Sequence, residues 1–162
     1  MSPPNSHAGG VPEFREMSST YSAIYHHIIF STEGRAPMIG EAWEQELHNY
    51  LGGTIVGLGA KALIVGGAAD HIHILMSSRP ASSIADLVRE IKKASTAWSK
   101  GRFHRFAWQR GYAVFSVGSS ELVRVRTYIA GQKEHHRKLT SADELKQILK
   151  EHGVEYDPKY FE

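Results

Sequence analysis

Cysteine is absent from the chain, which excludes disulfides, thiolate nucleophiles and every zinc site built on sulfur. No run of about 18 apolar residues occurs, so no segment reads as a membrane-spanning helix. The opening stretch MSPPNSHAGGVPEFREMSS lacks the basic-then-apolar plan of a secretory leader, and the chain is expected in the cytoplasm. A GxxxxGK[ST] phosphate loop is also missing, so no nucleotide cofactor is expected. The net charge of +2 is too small to name a partner by itself.

What remains is a chain of 162 residues, 41% of them apolar, enough for one domain with a real core plus a tail. Positive charge is unevenly placed. Between positions 89 and 110 stand Arg89, Lys92, Lys93, Lys100, Arg102, Arg105 and Arg110 against the single acid Glu90, whereas 139–162 is net acidic. A basic third quarter suits a surface that faces phosphates, and it also suits an ordinary solvated helix face.

Residues 1–19 are rich in Pro, Gly, Ser and His without apolar period and read as a disordered tail, leaving 20–162 as the domain. The segment YSAIYHHIIFS (21–31) is β-branched and aromatic and predicts a buried strand. Apolar residues at Trp43, Leu47, Leu51, Ile55 and Leu58 recur at helical spacing. Two strands follow, KALIVGGAA (61–69) and HIHILMS (71–77), with a hairpin or bulge between them. Ser82 or Ser83 can cap a helix to about Lys100; YAVFSV (112–117) is a fourth strand; Ser119 or Ser120 opens a helix to about Arg137, and a last helix fits 142–151 before Gly153. The order β-α-β-β-α-β with extra C-terminal helices predicts an α+β, ferredoxin-like antiparallel sheet. That fold does not by itself assign an activity.

Three groups of residues bear chemistry. His71 and His73 lie two apart on a strand, hence on one face, with Ile72 turned to the core; two imidazoles so placed can converge on a divalent cation, or can be a structural pair. Tyr128 and Gln132 lie four apart on a helix, so an amide oxygen able to meet a metal stands beside a phenol able to act as a nucleophile, though a helical tyrosine also serves packing. Gly131 between them disfavours the helix and would permit a close approach. In GRFHRFAWQRGY (101–112) aromatics alternate with bases, the composition of a single-strand stacking loop or, with Phe106 and Trp108 turned inward, of a core anchor. His26 and His27 read as structural, and His135 and His136 as solvated surface.

The passages YHHIIFSTEGRAPMI, DHIHILM (70–76), WQRGYAVFSV (108–117), YIAGQKEHHRK (128–138) and HGVEYDPKYF, in that order, resemble the single-tyrosine HUH transposases of small insertion sequences, especially the REP-associated tyrosine transposases. The resemblance covers about 21–161. It implies that Tyr128 is the nucleophile and that His71, His73 and Gln132 hold Mg²⁺ or Mn²⁺, which would polarise a scissile phosphate. It further implies transesterification on single-stranded or hairpin DNA through a 5′-phosphotyrosine, and action as a homodimer. Exchange of one phosphodiester for another is nearly isoenergetic, consistent with the missing phosphate loop.

Other readings diverge at particular residues. A histidine-triad hydrolase would need a third histidine where Leu75 stands. An oxygenase or lyase would need a carboxylate beside the pair, and Asp70 is expected on the opposite face. A replication-initiation relaxase needs more domains than this length allows. A non-catalytic nucleic-acid-binding module of the same fold would have no use for Tyr128 as a nucleophile.

Overall fold

The computed structural model describes residues 19–161; of the segment read above as a tail, positions 1–18 lie outside the described residues. Four strands, β1 (Tyr25–Ser31), β2 (Lys61–Ala68), β3 (His71–Ser77) and β4 (Ala113–Val117), form one antiparallel sheet in the order β2-β3-β1-β4. Together with α1 (Glu44–Gly57) and α2 (Ile84–Lys100) they make the ferredoxin-like unit that the sequence predicts. Three further helices follow: α3 (Leu122–Ala130), the single turn α4 (Gln132–His135) and α5 (Ser141–Glu151). No helix among the described residues is long and apolar enough to cross a membrane.

Strand alternation divides the molecule into layers. Ile28 and Phe30 of β1 and Ile72, Ile74 and Met76 of β3 point to one side. There they pack against Leu47, Leu51 and Ile55 of α1 and Leu87, Val88 and Ile91 of α2. Burial of this apolar set supplies most of the stabilisation of the domain. The tryptophan-rich loop belongs to this layer as well. Phe106 is fully buried, and the Trp108 indole donates to Ser95 Oγ at 2.9 Å, so both are core anchors. Ser83 caps α2 through its hydroxyl, as predicted, and Thr140 caps α5 likewise.

The residues between these, His27 and Ile29 on β1 and His71, His73 and Leu75 on β3, face the other way, where α3 and α5 lie over the sheet. Their neighbours on β2 are small: Ala68 pairs with His71 and Gly66 with His73. That leaves room for α3 to settle directly on β2. A Cβ at Gly66 would stand 2.7 Å from the Ile129 carbonyl oxygen. The close approach expected at Gly131 therefore occurs at Gly66; a Cβ at Gly131 would meet nothing nearer than 3.6 Å. What Gly131 does is separate α3 from α4, so that the helix predicted to run unbroken to Arg137 is two pieces. The irregularity between β2 and β3 is a register shift at Ala62/Ile64, away from the Gly66–Gly67 pair.

Gly66→Ala should therefore push α3 off the sheet and destabilise the fold by roughly 1–3 kcal/mol, the usual range for overpacking. Urea denaturation checks this, and unchanged stability would mean that α3 is free to move.

Candidate metal centre and nucleophile

Side chains from β1, β3, α3, α4 and α5 meet over the β1–β3 pair. His71 and His73 enter from β3 and are essentially without solvent exposure. The Nδ1 of His71 is 2.7 Å from Asp70 Oδ1, and the second oxygen of that carboxylate accepts from Ser141 Oγ at 2.8 Å. The Nδ1 of His73 is 2.7 Å from His27 Nε2. With both Nδ1 atoms engaged behind the rings, both Nε2 atoms point into the same space. His71 Nε2 lies 2.9 Å from Gln132 Oε1, and His73 Nε2 lies 2.9 Å from Glu144 Oε1. Gln132, buried at the start of α4, donates its amide Nε2 to Glu144 Oε2 at 3.1 Å, which fixes its oxygen towards the histidines. The Tyr128 hydroxyl, one turn earlier on α3, donates to the same Oε2 of Glu144. His136 reaches in as well, its Nε2 being 2.9 Å from Gln132 Oε1.

The donor chemistry suits a cation. With its Nδ1 donating to the Asp70 carboxylate, a His71 ring without a second proton turns a lone pair at Nε2 to the lone pairs of Gln132 Oε1. Two acceptors at 2.9 Å are relieved only by a proton or a metal between them. Ligand atoms of His71, His73, His136 and Glu144 all lie within 4.8 Å of one another. Such a mixed nitrogen and oxygen set is softer than the all-oxygen shell Mg²⁺ prefers and also admits Mn²⁺. Asp70 and His27 hold the rings from behind, the role that outer partners play for metal-ligating histidines.

The electrostatics point the same way. Burial lowers the His73 pKa to about 4 against the pull of Glu144, and burial beside His73 lowers that of His27 to about 3. Both are therefore neutral, the form that coordinates metals. Burial alone would raise the Glu144 carboxyl. The neighbouring His136 and His73 rings and the Tyr128 hydroxyl overcome it and hold the group well below the usual carboxylate range. The Tyr128 phenol is shifted upward, first by burial and then by its bond to this carboxylate.

Of the residues expected at the site, His71, His73, Gln132 and Tyr128 come together in one chain. The basic residues do not join them. Arg89 pairs with Asp86 at 2.9 Å, and Lys92 donates to the carbonyls of Gln109 and Gly111, tying the 109–111 loop to α2. Arg102 lies 3.5 Å over Trp98 and pairs with Glu46. Lys93, Arg105 and Arg110 are exposed. α2 packs on the face of the sheet away from the histidines, so Arg89, Lys92 and Lys93 belong to the opposite layer.

Four participants escaped the sequence reading. Asp70 sits in the turn before β3, where strand alternation does not apply, and it is at His71 rather than on the far face. His27 shares the face of His73 and touches it; its register partner on β3 is Leu75, one pair along. His136 is a half-buried member of the cluster, not solvated surface. Glu144 had a readable signal: a charge in the buried stripe of α5, between Ser141 and Ile148.

Residues 20–132 match the IS200-like transposase family, and the chain belongs to it. Among solved structures, a candidate transposase from Deinococcus radiodurans R1 is similar with a TM-score of 0.58 and 21% identity, over 72% of this chain and 97% of that one. A REP-associated tyrosine transposase bound to a REP hairpin is similar with a TM-score of 0.56 and 14% identity, over 74% of each chain. At these identities the likeness is one of fold. No curated protein matches the sequence.

The buried neutral histidines set a pH response. Below the ordinary histidine value of 6.5 the unfolded chain takes up protons that folded His27 and His73 refuse until about pH 3 and 4. Stability should therefore fall on acidification from 6.5, with a slope approaching 1.4 kcal/mol per pH unit for each histidine. His136, shifted upward, acts in the opposite sense above 6.5. Denaturation between pH 6.5 and 5 should show this fall, to which the burial-lowered His26 and His48 add, and in His27→Leu the slope should drop by up to about 1.4 kcal/mol per pH unit; an unchanged slope in the variant would contradict the assignment.

Proposed function

We propose that this chain is a single-tyrosine HUH transposase that nicks and rejoins single-stranded, hairpin-flanked DNA, with Tyr128 as the nucleophile. The observation that carries the reading is the meeting of the phenol with the His71–His73–Gln132 donor set at one carboxylate, Glu144, within a single chain. The hairpin in the REP-associated relative supports hairpin DNA as the substrate class.

His71, His73 and Gln132 would hold Mg²⁺ or Mn²⁺, which when bound supplies Lewis-acid polarisation of the scissile phosphate. The protein residues do the rest. Tyr128 is held protonated in the resting arrangement by burial and by Glu144. As its oxygen bonds to phosphorus, the P–O3′ bond breaks and a 5′-phosphotyrosine forms; the phenolic proton, taken through Glu144 Oε2, ends on the departing 3′ oxygen, which leaves as the 3′-hydroxyl. Attack by a 3′-hydroxyl on the phosphotyrosine reverses the exchange and rejoins strands without an energy source. The basic residues Arg89, Lys92, Lys93, Arg102, Arg105 and Arg110 are assigned to outlying phosphate contacts, Arg110 lining a groove with Arg35, Tyr112 and Tyr160. Action as a homodimer in the cytoplasm belongs to the same proposal, with 20–162 as the transposase domain.

Incubation with single-stranded hairpin DNA and Mn²⁺ should yield a covalent protein–DNA adduct on denaturing gels. Tyr128→Phe should abolish the adduct while DNA affinity changes by no more than about twofold, because one hydroxyl is lost from a bond made within the protein. An adduct that persists in Tyr128→Phe would reject the nucleophile.

A further inference from the structure

Beside the phenol, on the side away from His71, a cavity of about 280 Å³ opens between β4, α3 and α5. Its size lies near the lower end for small-ligand clefts, roughly 300 Å³ upward. It shares Tyr128 and Glu144 with the site just described, so whatever fills it lies next to the group presented to the nucleophile.

The lining selects the occupant. One wall is aromatic: the His152 ring lies over Phe115 with centroids 4.4 Å apart and planes 32° apart, and its Nδ1 is bound to the Ile148 carbonyl at 2.8 Å, which fixes the ring in place. His152 is otherwise exposed to the cavity, a platform for a planar heterocycle. The rim is polar. Gln147 and Glu151, four apart on α5, both line the cavity, and neither side chain has a hydrogen-bond partner among the described residues. Glu121 stands across from them, paired with Arg124. Three carboxylates, Glu121, Glu144 and Glu151, repel a phosphate here but accept from N–H groups.

The geometry points to this cavity as the seat of one unpaired nucleobase flanking the scissile phosphate, stacked at His152 and read at its amino edge by Gln147 and Glu151. Cytosine, adenine and guanine each offer an exocyclic amino group to those acceptors. Thymine turns a carbonyl oxygen towards them; the Gln147 amide can rotate to donate to it, but the Glu151 carboxylate cannot, so thymine is disfavoured. The inference rests on the transposase reading, since only that reading brings a strand to Tyr128.

The test compares the oligonucleotides dC10 and dT10, which differ at each base in the amino group against the carbonyl, in N3 as acceptor against N–H donor, and in the thymine methyl; a double variant isolates the part read by Gln147 and Glu151. By fluorescence anisotropy in EDTA, where no cleavage occurs, the wild-type chain should bind dC10 about tenfold more tightly than dT10, the worth of one hydrogen bond to a charged acceptor. In the double variant Gln147→Ala/Glu151→Ala the ratio should fall to within about twofold. As a second measurement on the unaltered protein, a photoactivated 5-iodocytosine within dC10 should crosslink to the peptides that carry Phe115 or His152. Equal wild-type affinities, a ratio unchanged in the double variant, or crosslinks only elsewhere would overturn the pocket. The adduct assay separates the two failures. Adducts formed without base preference sink the pocket and leave the nucleophile, whereas base preference without adducts supports the pocket and sinks the nucleophile.

Discussion

Everything at the site depends on two imidazole Nε2 atoms being aimed into one small space. Asp70 fixes the His71 ring from behind and His27 fixes that of His73. Burial keeps His73 and His27 uncharged at neutral pH. Once the rings are set, the lone pair of His71 Nε2 opposes that of Gln132 Oε1, an arrangement that asks for a positive charge between them. The rest of the fold serves that condition. Gly66 and Ala68 on β2 leave the sheet bare enough for α3 to descend, and the break at Gly131 turns the start of α4 inward, so that Gln132 and Tyr128 reach the same carboxylate.

Glu144 ties the C-terminal helix into this chemistry. It receives the phenol and the Gln132 amide, lies 2.9 Å from His73 Nε2, and stays ionised although buried, because polar groups surround it. The match to the IS200-like family ends at residue 132, before α5 begins, so Glu144 and the cavity rim on α5 lie in the part of the chain that the family pattern leaves undescribed.

Much of this was legible in the sequence. The alternating strand 71–77 placed both histidines on one face, and the serine cap before α2 and the glycine after α5 located those helices within two residues, since these signals are local. The ferredoxin-like order followed from the element sequence. What could not be read was set by contacts between distant segments. His27 and His73 are 46 positions apart and touch because β1 and β3 pair in one register. Asp70 was misplaced by carrying strand alternation one residue too far, into a turn. The glycine that admits α3 was sought at Gly131, where the helix breaks, rather than at Gly66, where two backbones meet. The basic stretch of α2 reads the same whether it faces phosphate or solvent, and its lysine at 92 spends its charge on backbone carbonyls.

The central claim is that His71, His73 and Gln132 form one cation site beside Tyr128. Anomalous diffraction from crystals of the protein soaked in Mn²⁺ tests it most directly. A single strong anomalous peak bounded by the two Nε2 atoms and Gln132 Oε1 is the result predicted here. Crystals that take up no manganese between these residues, or bind it only elsewhere on the surface, would contradict it.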